Sequence, residues 1–305
     1  MKKFVIIDGN ALIHRGFYAI PEMRTKSGEV VNGVYGFASM LVNILEKEKP
    51  DFITVAFDVK GPTIRHEQFK EYKATRVKAP DELYIQIPKI KELCKAFNIP
   101  TFGIKGYEAD DIIGTMSKNL KTDPELMVEI VTGDLDVLQL IDKNVNVLTP
   151  HKGFSETKTY DDEAVKERYG LDVDQLVDYK ALRGDPSDNI PGVRGIGEKT
   201  AVKLLQEYKT LDGIYENIEN IQGKPQTLLK EGKDSAYQSQ QLAQIITDIK
   251  LDGFNIDDCK THEFQSRDVR EVLEDLDFNS IIRRLERAGI LKNKAEEQES
   301  QQSLF

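Results

Sequence analysis

The stretch Phe4-Val5-Ile6-Ile7-Asp8 places four apolar residues, three of them β-branched, directly before an acid. A short unbroken apolar run of this kind reads as a strand buried on both faces, as in a parallel sheet. Two further runs end the same way: Thr54-Val55-Ala56-Phe57-Asp58 and Glu129-Ile130-Val131-Thr132-Gly133-Asp134. Around them, strand-like runs at 52–57, 99–103, 128–131 and 145–148 alternate with amphipathic stretches. Residues 33–47 carry Val34, Phe37, Leu41, Ile44 and Leu45 on one side, and 84–97 and 107–120 also read as helices. The alternation predicts an α/β fold with a mostly parallel central sheet and helices on both faces. From Asp161 onward the strand signals stop, and 162–169, 173–182, 198–207, 233–249 and 269–288 read as helices joined by Gly- and Pro-bearing loops. The expected division is an α/β core over 1–169 and a helical region over 170–291. The tail, 292–305, is polar, rich in Glu and Gln, and expected to be disordered.

In an open parallel sheet the carboxyl ends of the strands line one crevice, so Asp8, Asp58 and Asp134 should converge there. A lone Asp after a strand is ordinarily a turn residue or helix cap; three in equivalent places strain that explanation. Tyr107-Glu108-Ala109-Asp110-Asp111 adds three acids at a helix start, with Glu108 and Asp111 on one face. Acids there suit the helix dipole. A cap needs only one, however, and Asp110 beside Asp111 costs repulsion unless a cation relieves it. Asp134 and Asp136 repeat the theme, as do Asp185 and Asp188 in Arg183-Gly184-Asp185-Pro186-Ser187-Asp188-Asn189. So many acids in one crevice cannot all stay ionised without counter-charge. Hard divalent cations such as Mg²⁺ or Mn²⁺ supply it, held by a few carboxylates, water and phosphate oxygens. Two such ions roughly 4 Å apart form the clamp for in-line phosphodiester hydrolysis. His14, His66, His151 and His262 are scattered singly without the spacing zinc needs.

Directly after Asp58, residues 60–80 carry Lys60, Arg65, Lys70, Lys73, Arg76 and Lys78 against Glu67 and Glu71, with Phe69 and Tyr72 interleaved. A charge run is commonly just a solvated face. Beside an acidic crevice it favours a groove for single-stranded nucleic acid. Gly192-Val193-Arg194-Gly195-Ile196-Gly197-Glu198-Lys199-Thr200 invites a P-loop reading, which fails because Glu198 stands where Lys must follow the last Gly and no strand precedes. A helix–hairpin–helix-like element over about 184–206 fits better. Gly195 and Gly197 let backbone approach a phosphate, and the next helix N-terminus offers N–H donors. The plain alternative is a tight connection between helices.

The net charge of −10 argues at first against a nucleic-acid partner. Setting aside the nine crevice acids and Glu296, Glu297 and Glu299 of the tail brings it to about +2, so the acidity is local. Cys94 and Cys259 fit neither a metal spacing nor a disulfide framework. No apolar run approaches a membrane span, and the N-terminus does not read as a signal peptide, so the expected setting is cytoplasmic.

Taken together, Asp8-Gly9-Asn10, Phe57-Asp58, Gly106-Tyr107-Glu108-Ala109-Asp110-Asp111, Thr132-Gly133-Asp134-Leu135-Asp136 and the run 184–201 resemble the 5′-nuclease (flap endonuclease) family. They stand in its order and spacing over roughly residues 3–289. The resemblance implies a PIN-like 5′-nuclease fold with a helical arch at about 60–92 and a helix–three-turn–helix element. It implies that Asp8, Asp58, Glu108, Asp110 and Asp111 surround one metal ion, while Asp134, Asp136, Asp185 and Asp188 hold or orient another. Tyr72-Lys73-Ala74-Thr75-Arg76 matches the arch's Tyr-Lys-x-x-Arg. Lys73 and Arg76 would then be the catalytic contacts to the scissile phosphate, with Arg65 and Tyr72 as further DNA contacts. Arg194, Gly195, Gly197, Lys199 and Thr200 would grip duplex DNA, with a bound K⁺, and residues 27–36 would meet the branch point.

The implied activity is that of a monomeric, Mg²⁺- or Mn²⁺-dependent 5′→3′ exonuclease and 5′-flap endonuclease. Its substrate is DNA with a flap, nick or free 5′ end. The alternatives are a non-catalytic DNA-junction module, which the intact acid set argues against, and an RNA-directed nuclease or phosphatase, which the basic arch and the 192–200 element argue against. The terminal Gln301-Gln302-Ser303-Leu304-Phe305 resembles the peptide by which bacterial proteins dock into the sliding clamp. Gln301, Ser303, Leu304 and Phe305 are the matching positions; the plain alternative is a terminus without a role.

Overall fold

β1, Lys2–Asp8, is the central strand of the sheet. Residues 4–7 are wholly buried because β1 is covered on both faces, which is why its sequence shows no alternation. The computed structural model describes residues 1–151, 156–261 and 264–293. His262 and the clamp-like peptide of Gln301, Ser303, Leu304 and Phe305 lie outside the described residues. The remaining strands are β2, Phe52–Ala56; β3, Thr101–Phe102; β4, Leu126–Val131; β5, Val145–His151; and β6, Glu156–Tyr160. Their order is β3-β2-β1-β4-β5-β6. β1 to β5 pair in parallel, and β6 closes the edge antiparallel to β5. Strand order therefore reverses between β1 and β4, and a crevice opens at that switch point at the carboxyl ends of the strands. The register aligns Asp8 with Ala56 and Ile7 with Val131, so acids leaving β1, β2 and β4 emerge side by side.

The helices follow in chain order as α1, Gly9–Ala19; α2, Asn32–Lys47; α3, Ile64–Gln68; α4, Asp81–Tyr84; α5, Ile87–Ala96; and α6, Ala109–Leu120. The later ones are α7, Asp162–Tyr169; α8, Leu176–Arg183; α9, Glu198–Tyr208; α10, Leu211–Glu216; α11, Lys224–Glu231; α12, Lys233–Ala243; α13, Ser266–Asp275; and α14, Asn279–Arg287. Side chains of β1 alternate between the two faces. Val5 and Ile7 pack with Phe37, Leu41, Ile90 and Leu93 on one face. Phe4 and Ile6 pack with Ile112, Met116, Val137 and Ile245 on the other. A third core, built from Leu182, Leu204, Leu205, Ile214, Leu229 and Ala236, holds α8 to α12 together. No helix among the described residues is long and apolar enough to cross a membrane.

The structure departs from the sequence reading in several places. α1 and β6 were not anticipated. α1 crosses α2 closely: a Cβ on Gly16 would stand 2.9 Å from the Gly33 carbonyl oxygen, so only glycine fits there. The helix expected over 84–97 is two pieces, and that expected over 233–249 stops at Ala243. The stretch 269–288 breaks into α13 and α14, with Asp277 at φ +58 between them. Over 60–92 the expected helical arch contains the short α3 and α4 and the start of α5, with turns at 70–75 and irregular backbone between. The second half is also not one helical body. α13 and α14 return to the sheet, where Val269, Leu273, Ile282 and Leu285 share a core with β1 and α2. Leu285 is completely buried there. Leu285→Ala is therefore expected to cost about 2–5 kcal/mol of global stability in urea unfolding. A loss confined to α8–α12 would contradict this packing.

Candidate functional site

The carboxyl ends of β1, β2 and β4 open into a cleft of about 760 Å³. Asp8, Asp58, Glu108, Asp110, Asp134 and Asp136 line it, and Lys73 and Arg76 stand on its wall. A larger groove, about 1080 Å³, lies along α2 and α14, but its sole acid among the described residues, Glu46, is paired with Arg284. Acid chemistry therefore belongs to the strand-end cleft.

Local hydrogen bonds aim each of these acids. Asp8 caps α1: its Oδ1 accepts from Ala11 N at 2.9 Å, and its Oδ2 accepts from the Thr132 hydroxyl at 2.8 Å. The Thr132 hydroxyl oxygen in turn accepts from Asp134 N at 2.9 Å, tying the ends of β1 and β4 together. Asp58 accepts from Ala109 N at 2.8 Å at the start of α6, and its own N–H donates to Asn10 Oδ1 at 2.9 Å. Asp134 Oδ1 accepts from Asp136 N at 2.9 Å.

Burial in this cleft, more than crowding, disfavours ionisation. Burial, with the charges of Asp58 and Asp134 added, pushes Asp8 up to about 7 against the bonds from Ala11 and Thr132. Asp58 is raised chiefly by burial. Burial also raises Asp110 well above the usual carboxylate range, and Asp111 and Glu108 add to this against the pull of Arg65. The Asp110 Oδ1 is buried and has no hydrogen-bond partner. An all-oxygen set short of counter-charge, with one buried oxygen left unpaired, suits a hard divalent cation. Among the described residues no three acids stand close enough to hold an ion as placed, and several of them are turned toward basic side chains instead.

Those basic partners come largely from the 60–80 segment. Lys73 Nζ donates to Glu108 Oε2 at 2.8 Å and lies 3.8 Å from Asp188 Oδ2. Arg76 binds the other oxygen of Asp188 in a short ion pair. The Tyr72 hydroxyl stands 3.1 Å from Glu108 and 3.2 Å from Asp188, bridging acids from the two halves of the chain. Lys73 has φ +56, a left-handed conformation unusual for lysine, and its N–H donates to the Asp188 carbonyl at 2.9 Å. On the far side, Lys180 pairs with both Asp136 and Asp185.

Three expectations need correction. Asp111 is fully buried and does not line the cleft. Its carboxylate accepts two bonds from Arg65, at 2.7 and 2.8 Å, one from Glu108 N at 3.0 Å and one from Ile246 N at 2.9 Å. It caps α6 and anchors an arginine, leaving no oxygen for a metal. Arg65, expected as a DNA contact, is instead buried and also donates to the carbonyls of Leu242 and Gln244. Tyr72, 3% exposed, is engaged with acids and not free to meet DNA.

The sequence reading also missed residues. His14, Arg15 and Tyr18 of α1 line the cleft, and Tyr18 is 65% exposed. Their signal is the four-residue spacing of His14 and Tyr18 on the face opposite the buried Leu12 and Ile13. The hairpin between α8 and α9 presents Arg194, Gly195, Gly197 and Lys199 to solvent, with Thr200 half-buried. Gly195 has φ +92, and Gly197 starts α9 without a side-chain cap, leaving its first N–H groups outward. Residues 27–36 form a tight turn around Gly28 leading into α2.

A parallel sheet reversing at β1 and β4, with acids at that point and a helical hairpin domain behind, defines the class of 5′-nuclease folds. Residues 3–170 match the family model described as 5′-3′ exonuclease, N-terminal resolvase-like domain. Residues 171–267 match the one described as 5′-3′ exonuclease, C-terminal SAM fold. The chain belongs to the 5′-3′ exonuclease family. It is 46% identical over 285 residues to DNA polymerase I of Caldicellulosiruptor bescii, covering 93% of this chain and 33% of that protein. It is 42% identical to DNA polymerase I of Bacillus subtilis, covering 93% and 32%. The chain thus spans about a third of the length of these relatives. Among solved structures, the bacteriophage T5 5′-exonuclease with bound divalent metal ions (zinc) aligns with TM-score 0.67 at 22% identity, over 90% of this chain and 100% of that one. The catalytic core of Rad2 in complex with DNA substrate aligns at 0.58 and 17%, over 92% and 91%. At these identities both establish the fold.

Arg65→Met, which strands a buried carboxylate, should cost roughly 3–5 kcal/mol in denaturant unfolding while leaving the salt dependence of DNA binding unchanged. A salt slope reduced by about one with stability intact would restore Arg65 as a phosphate contact.

Proposed function

We propose that the chain is a divalent-metal-dependent 5′→3′ exonuclease and structure-specific 5′-flap endonuclease. It would work as a monomer in the cytoplasm on DNA bearing a flap, nick or free 5′ end, in replication and repair. The carrying observation is that six acids from three strand ends and the start of α6 face one cleft whose wall holds Lys73 and Arg76. Asp8, Asp58, Glu108 and Asp110 would hold one Mg²⁺ or Mn²⁺ ion, and Asp134, Asp136, Asp185 and Asp188 would hold or orient a second. When bound, such ions neutralise phosphate charge and make an attacking water more acidic.

The chain's own residues do the rest. Lys73 and Arg76, now paired with Glu108 and Asp188, would transfer to a phosphate and stabilise charge developing on it. Arg194 and Lys199, with the backbone N–H groups behind Gly195 and Gly197 and the Thr200 hydroxyl, would take duplex phosphates, with K⁺ as a further bridging charge. The turn over 27–36 would meet the branch point. The terminal Gln301, Ser303, Leu304 and Phe305 would dock into a bacterial sliding clamp, two apolar anchors filling a pocket.

Cleavage of a labelled 5′-flap duplex with Mg²⁺ tests the activity. The wild type should cut near the flap base, and Asp134→Ala and Asp188→Ala should each lose at least about 100-fold in rate. Binding without cleavage would favour the junction module, and preference for RNA flaps an RNA-directed enzyme. Deleting Leu304 and Phe305 should abolish clamp binding and leave flap cleavage intact; unchanged clamp affinity would remove the docking role.

A further inference from the structure

Lys180 lies on α8, five residues before Asp185, and sequence reasoning did not single it out. Its ammonium pairs with Asp185 at 2.8 Å and, in a second and shorter contact, with Asp136. One acid follows β4 and the other follows α8, so a single side chain closes the seam between the sheet and the helical region. The three side chains are 17%, 25% and 14% exposed for Lys180, Asp136 and Asp185. They stand in the wall of a separate cavity of about 140 Å³.

Lys180 is unevenly placed between the two acids. It donates to Asp185 Oδ2 at 2.8 Å, while Asp185 Oδ1 accepts from the Ser187 N–H at 2.9 Å and the Ser187 hydroxyl at 2.6 Å. On Asp136 it meets Oδ1.

We propose that Lys180 is the built-in counter-cation of the Asp136–Asp185 pair: it holds the two acids together across the seam and must give way before a divalent ion settles on them. The inference rests on the assignment of these acids to a metal ion under the proposed function. An ammonium and a dication repel each other when they share the same carboxylates, so Lys180 weakens the second ion's binding in the DNA-free protein. Asp136 also lines the strand-end cleft, so a phosphate entering there would offer the adjoining Lys180 another anionic partner. Occupancy of that position is thereby tied to the arrival of substrate.

Mn²⁺ binding to the intact chain without DNA, by calorimetry and by the electron paramagnetic resonance of free Mn²⁺, tests this. Lys180→Gln should bind the second ion at least about 10-fold more tightly than wild type and gain more thermal stability from Mn²⁺. Lys180→Arg, which keeps the charge, should bind as wild type does. Unchanged or weaker binding in Lys180→Gln overturns the proposal, as does tight binding in Lys180→Arg. A Lys180→Gln chain that folds only with Mn²⁺ supports it, and one that Mn²⁺ cannot restore sinks it. A wild type that binds no Mn²⁺ overturns both this inference and the metal-site reading. Unchanged affinity in Lys180→Gln beside normal wild-type binding overturns the inference alone.

Discussion

Mutual repulsion among carboxylates is the constraint on which the rest of this structure depends. Parallel strands that end in acids, reversing order between β1 and β4, gather like charges in one crevice. The protein meets this in two ways. For some acids burial opposes ionisation, pushing Asp8 up to about 7 and Asp136 to about 6. Others take a cation from elsewhere in the chain: Lys73 for Glu108, Arg76 for Asp188, Lys180 for Asp185. Lys73 and Arg76 come from a segment distant in sequence from their acids, and Lys180, near Asp185 in the chain, also reaches Asp136, so charge neutralisation also organises the tertiary structure.

Adjacent acids can serve opposite purposes. Asp110 and Asp111 are neighbours at the start of α6, pointing about 100° apart around the helix axis. Asp111 turns inward and spends its oxygens on Arg65 and two backbone N–H groups, a buried and fully bonded pair. Breaking such a pair is costly because the remaining charge has no solvent to turn to. Asp110 turns toward the cleft and keeps an unpaired oxygen. The first holds the 60–80 segment onto α6 and the loop after α12; the second remains available for chemistry. Arg65 and Lys73, eight residues apart, divide in the same way between structure and cleft.

The sheet could be read from sequence because strands buried on both faces are continuously apolar, and an acid at the end of such a run marks the ligand-bearing edge. The site's outline followed, since Asp8, Asp58 and Asp134 do emerge side by side. Features set by distant partners could not be read. Whether Asp110 or Asp111 faces the cleft depends on Arg65, 46 positions away from Asp111. The 60–80 segment has helix-compatible residues, but contacts with the Asp188 loop, such as Asn189 donating to the Glu71 carbonyl, hold it as turns. α13 and α14 carry apolar stripes that would suit either core, and only packing places them on the sheet beside α2. α1 escaped notice because one of its faces lines a polar cleft, which blurs the apolar period.

The join between the two halves at the cleft is built more from charge than from apolar burial. The apolar cluster there is small: Tyr72, Val177, Ile190, Leu242 and Ala243, with Phe69 against them. Around it lie the Lys73–Glu108, Arg76–Asp188 and Lys180–Asp136–Asp185 pairs, with Lys73, Arg76, Glu108 and Asp136 on the cleft itself. A large apolar seam would be indifferent to ions and phosphates. A seam of ion pairs is not, because anything that brings new charge into the cleft competes for the same partners. The residues that would grip a phosphate are thus the ones that close the seam in its absence. Lys73, Arg76 and Lys180 can serve a substrate only by releasing acids that then need another cation. On this geometry, binding of anion and dication would be reciprocal: each would supply the partner that the other takes away.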